Sequence, residues 1–111
     1  MKKSIILKEI AEFWTKDMPF NQLLGLEITQ FSSQQSEIRF QWQDKFIGNP
    51  IQKILHGGVT ASVLDVAGGV VAAANIIDQL ELLSAENIHH SLRKLGTIDL
   101  RTDFLRPGRG K

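Results

Sequence analysis

The chain has 111 residues, 42% of them hydrophobic, with 13 basic against 12 acidic side chains and a net charge of +1. That composition suits one small globular domain over 1–111 and offers no marked basic patch for nucleic acid. Zero cysteines exclude disulfides, thiolate metal sites and a cysteine nucleophile.

The first stretch, MKKSIILKEIAEFW, is broken by Lys8, Glu9 and Glu12 before a signal-peptide core can form, so a cytoplasmic location is expected. Ile5, Ile6, Ile10, Phe13 and Trp14 share one side at helical spacing, which predicts an amphipathic helix within 1–17 that lies as a lid on a sheet. Pro19 is expected to end it. A strand is expected over Leu26–Phe31, a polar turn over Ser32–Ser36, and a second strand in which Ile38, Phe40 and Trp42 alternate with polar residues. Trp42 reads as a core or interface aromatic rather than a ligand stack. Asp44–Leu55 reads as a loop, with Asn49 between Gly48 and Pro50 suited to a turn.

From Leu55 to Ile77 the chain reads LHGGVTASVLDVAGGVVAAANII, an apolar run interrupted by one acid, Asp65. A helix apolar on every side has no solvent face and is expected to be wrapped by protein. Gly57–Ile77 is also long enough to cross a bilayer, but Asp65 near its middle costs about 2.5–3.5 kcal/mol on insertion scales, so burial in protein fits better. The carboxylate is then either paired structurally or chemically active. Gly57 and Gly58 sit where the first turn has N–H groups without intrahelical partners, which suits a polarised carbonyl or an oxyanion. Eight residues separate Gly57 from Asp65, roughly 12 Å along a helix axis, so both can meet one reacting carbon only if they come from two copies of the chain.

After this element, Leu80, Leu82, Leu83, Ile88 and Leu92 suggest a second helix within Asp78–Lys94, interrupted near Ser84. His89 and His90 are adjacent and diverge on a helix, and with His56 they make no chelating pattern, so no metal is expected. Residues 97–104 alternate as a third strand, with Ile98, Leu100, Thr102 and Phe104 on one face. Arg101, Arg106, Arg109 and Lys111 crowd the last eleven residues, either as a solvated basic turn or as a phosphate contact.

His56-Gly57-Gly58, six residues and then Asp65 resemble the signature of hotdog-fold acyl-CoA thioesterases of the PaaI-like type, a resemblance that runs from about Met18 to Lys111. It implies an α+β hotdog fold in which a long buried central helix is wrapped by an antiparallel sheet. It also implies hydrolysis of an acyl-CoA to a carboxylic acid and free coenzyme A without a cofactor, metal, nucleic acid or membrane. The assembly implied is a homodimer or dimer of dimers. In that family the glycine at Gly57 polarises the thioester carbonyl, and Asp65 of the partner subunit activates water or attacks directly. His56 would hold the helix start rather than abstract a proton, and Asn49 would lie near the thioester, one residue farther from the histidine than in some relatives. Gly58, Val59, Arg106, Pro107 and Gly108 would contact substrate. Met18-Pro19-Phe20 and Leu24-Gly25-Leu26 would lead into the first strand and border the acyl pocket.

The resemblance further implies two more strands after Pro107-Gly108-Arg109-Gly110, so a truncated product, a fragment or a wall lent by another chain is expected, with an open sheet edge. A non-catalytic acyl-CoA-binding module or an inactive truncated remnant is the alternative function. A hotdog dehydratase fits less well, because the acid lies too late after His56.

Overall fold

A computed structural model describes residues 2–109. The elements run α1 (Lys3–Lys16), α2 (Pro19–Leu24), β1 (Glu27–Phe31), β2 (Ser36–Arg39), a 3-10 turn (Asp44–Phe46), β3 (Ile47–Asn49), β4 (Ile54–Leu55), α3 (Gly57–Gln79) and α4 (Ala85–Leu92). The mixture is α+β, as expected, with one helix much longer than the rest.

Pro19 begins a helix instead of ending one. It occupies the first turn of α2, where its missing N–H is no loss, while α1 has already closed at Lys16. Gly25 then ends α2 in the left-handed region at φ 68°, and its N–H returns to the Asn21 and Gln22 carbonyls. The turn delivers Leu26 into the core and starts β1.

β1 and β2 form an antiparallel hairpin with Glu27 opposite Arg39 and Phe31 opposite Ser36, and the register shifts between Ile28 and Gln30. At that irregularity the Thr29 hydroxyl donates to the Glu37 carboxylate at 2.8 Å. The bond from Thr29, and then the charge of Arg39, hold the Glu37 carboxyl below the usual range. The strand expected through Trp42 stops at Arg39, because β1 begins at Glu27 and leaves the following residues no backbone to pair with. Asp44–Leu55, expected to be a loop, contains a second small ladder, β3 with β4.

α3 is the organising element. Leu24, Leu26 and Phe46 make a buried cluster against which Ile38, Leu55, Val59, Val63 and Val66 pack, so the first half of α3 lies on the hairpins. Farther along, Val70, Ala73, Ala74 and Ile77 are buried at spacings of three and four, where α1 crosses with Ile6. Polar ties add to this packing. The Ser36 hydroxyl donates to the Ala67 carbonyl at 3.1 Å, the Asn75 amide donates to Ser33 at 3.0 Å, and Lys3 pairs with Asp78 at 3.4 Å.

The expected wrapping is one-sided within the described residues. α3 is long and apolar enough to cross a membrane by length and composition, yet only 22% of its most apolar window is buried, and Leu64 is 47% exposed. The third expected strand, 97–104, forms no ladder. Its alternation is real, but a strand needs a hydrogen-bonding neighbour, and among the described residues neither hairpin pairs an outer edge with this segment. This segment runs beside α3 in the opposite sense, with Thr97 at Asp65 and Phe104 at Gly57.

Candidate active site

Two features of the α3 N-terminus are set by His56. Its backbone is extended and its Nδ1 accepts from the Gly58 N–H at 2.8 Å, so the imidazole is the N-cap of the helix. Accepting through Nδ1 leaves the proton of a neutral imidazole on Nε2. The Gly58 N–H is thereby spent, whereas among the described residues nothing accepts from the Gly57 N–H. Gly57 is the donor left open at the positive end of the helix.

The surroundings of that donor are tight. A Cβ at Gly57 would lie 3.2 Å from the Phe104 ring, and one at Gly48 would lie 2.7 Å from the His56 Cα. Gly48 therefore lets β3 pass against His56, whose N–H donates to the Phe46 carbonyl at 2.7 Å. Neither contact was read from the sequence, since both join residues by backbone approach rather than by a motif.

Asn49 takes the turn role. Its Oδ1 accepts from Ile51 and Gln52 N–H groups at 3.0 and 3.1 Å, closing the β3–β4 connection. Val59 packs on the Leu24–Leu26–Phe46 cluster. Gly108 docks on β4, its carbonyl accepting from the Leu55 N–H at 2.9 Å, while Arg106 and Pro107 are exposed. Of the basic cluster, Arg101 pairs with Asp103 at 3.4 Å, Arg109 is exposed, and Lys111 lies outside the described residues.

Asp65 is half-buried, not sealed in the core, because the face of α3 that carries it is the open one. The Thr97 hydroxyl donates to its Oδ1 at 2.5 Å, and none of the ion pairs among the described residues includes it. Thr97 lies 32 positions away in sequence, so periodicity gave no signal for it. The carboxylate borders a cavity of about 580 Å³ reached by Trp14, Met18, Gly69 and Leu95. His56, Gly58 and Ser62 border a different one of about 360 Å³ with Phe20 and Lys45. One chain thus keeps the helix-start donor and the carboxylate apart, as the eight-residue spacing requires.

The family model described as "Thioesterase superfamily" matches residues 52–111. The chain is 43% identical over 105 residues to the medium/long-chain acyl-CoA thioesterase YigI of Escherichia coli K12, covering 95% of this chain and 68% of that protein. The counterpart of the same name from Salmonella typhimurium is 44% identical over 94% of this chain and 67% of its own length. A crystal structure from Shewanella oneidensis, described as related to the thioesterase superfamily, superposes with a TM-score of 0.90 at 43% identity. The match covers 98% of this chain and 71% of that one.

Proposed function

This chain belongs to the thioesterase superfamily, and we propose that it hydrolyses acyl-CoA thioesters at a site shared between two copies, with Gly57 from one and Asp65 from the other. The hydrolase class follows from the kinship with acyl-CoA thioesterases. The observation that supports the shared site is the separation on α3: an unclaimed N–H at one point and a hydrogen-bonded carboxylate two turns away, with the cavity at the carboxylate lined by neither Gly57 nor its neighbours His56 and Gly58.

In this reading the Gly57 N–H donates to the thioester carbonyl oxygen, and its bond strengthens as negative charge builds there. Asp65 takes the proton of an attacking water and returns it to the departing thiolate as the carbon–sulfur bond breaks, giving the carboxylic acid and coenzyme A thiol. If Asp65 attacks the carbonyl carbon itself, departure of the thiolate leaves a mixed anhydride that water then hydrolyses to the acid, with the water's proton going to the thiolate. Thr97 occupies Oδ1 and leaves Oδ2 for that work. His56 contributes as the cap that aims the first turn. Asn49 contributes by shaping the loop before it, and Gly58, Val59 and the Arg106–Gly108 turn border the substrate.

Asp65→Asn tests the assignment. The amide keeps the shape and still accepts from Thr97, yet cannot serve as base or nucleophile, so kcat measured by thiol release should fall about a hundredfold or more. KM should change little. Wild-type turnover in that variant would remove Asp65 from the chemistry.

A further inference from the structure

We propose that Trp14 on α1 is the acyl-length determinant of the Asp65 cavity, a constriction that a thioester's apolar tail must pass after leaving the carboxylate; the proposal rests on the acyl-CoA reading above. Asp65, Gly69 and Ala72 follow one another along the same side of α3, so the cavity runs roughly 10 Å down the helix from the carboxylate. Trp14 meets α3 one turn past Asp65, with its ring edge 3.4 Å from where a Gly69 Cβ would stand. A tail that begins at Asp65 therefore reaches the indole before it reaches Ala72.

The indole has an aromatic neighbour, and the backbone that carries it has a polar tie. Its ring stands edge-on to Phe31 at a centroid distance of 6.4 Å. Its backbone carbonyl accepts from the Asn21 amide at 3.1 Å, and Asn21, 6% exposed, is the buried polar side chain of α2. The ring contact and the backbone tie together place the indole as one wall of the cavity. Apart from Asn21, Asp65, Thr97 and Asp99 the lining is apolar or glycine, with Met18, Leu64 and Leu95 beside Trp14, which suits an alkyl chain.

Gly68 supplies a control that leaves packing intact, because a Cβ there would meet nothing within 4 Å although the residue borders the same cavity. Hexanoyl-, decanoyl- and palmitoyl-CoA are hydrolysed by the wild type, Trp14→Ala and Gly68→Leu, and kcat/KM is compared across lengths. Trp14→Ala should shift the ratio of palmitoyl to hexanoyl by about tenfold or more toward the longer chain, and Gly68→Leu should shift it the other way. The change should lie in KM rather than kcat. Equal changes at every length, or none, would overturn the proposal, and if Trp14→Ala fails to fold, Trp14→Phe, which keeps a ring against Phe31 but removes part of the wall, decides it by the same ratio. A wild type that hydrolyses none of the three would sink the hydrolase reading instead. 10-Bromodecanoate titrated into a Trp42→Phe variant then reads the cavity directly: heavy-atom quenching of Trp14 fluorescence supports the wall, and saturable binding without quenching overturns it.

Discussion

His56 acts through a lone pair. Nδ1 closes the first turn of α3 by accepting from Gly58, and in doing so it selects Gly57 as the donor that stays open. His56→Ala should lower stability to urea by about 1 kcal/mol through loss of the cap, whereas His56→Asn, with another capping side chain, should recover much of it. Equal losses in both variants would show that the ring, not the cap, holds the helix start. His56, Gly57 and Asp65 were legible in the sequence because each stands in a context its chemistry does not favour: glycines opening a helix, and an acid within an apolar run. Thr97 and Phe104 were not, since their partners lie far away in sequence and only the folded chain brings them to α3.

The helices show which signals survive at the level of an element. α1 and α4 carry enough periodic residues, and α3 a long enough apolar run, to be read directly, and Ser84 caps α4 where the interruption was expected. α2 has six residues and β4 two, too few for any period to declare itself. The alternation of 97–104 describes side-chain faces and says nothing of whether a neighbouring strand exists. α3 also owes its placement to polar ties that a hydrophobic pattern cannot reveal, chiefly those at its far end. There the Ser33 hydroxyl, and secondarily Lys3, hold the Asp78 carboxyl below its usual range. A depressed folded value means that these ties stabilise the fold above the ordinary carboxylate range and are lost as pH falls through the depressed value. Ser33→Ala should move the Asp78 titration, followed by carboxyl NMR, upward toward the ordinary value. An unmoved titration would assign the shift to Lys3.

The described chain measures 53 × 25 × 21 Å with a radius of gyration of 15.6 Å, longer than the roughly 13 Å expected of a compact domain of about 100 residues. The extension coincides with an open side of α3 and with Ile98, Phe104 and Leu105 left more than half exposed along the neighbouring segment. Such a face is suited to covering by more protein, in keeping with the proposed site shared between two copies. The direct measurement is complementation between two inactive chains, Asp65→Asn and Gly57→Leu, unfolded together and refolded as a mixture whose mixed dimers are verified by mass. Each mixed dimer would hold one intact pairing of Gly57 with Asp65 and one doubly damaged pairing, so random mixing should restore about a quarter of wild-type acyl-CoA turnover. Verified mixed dimers with no recovered turnover would contradict the shared site.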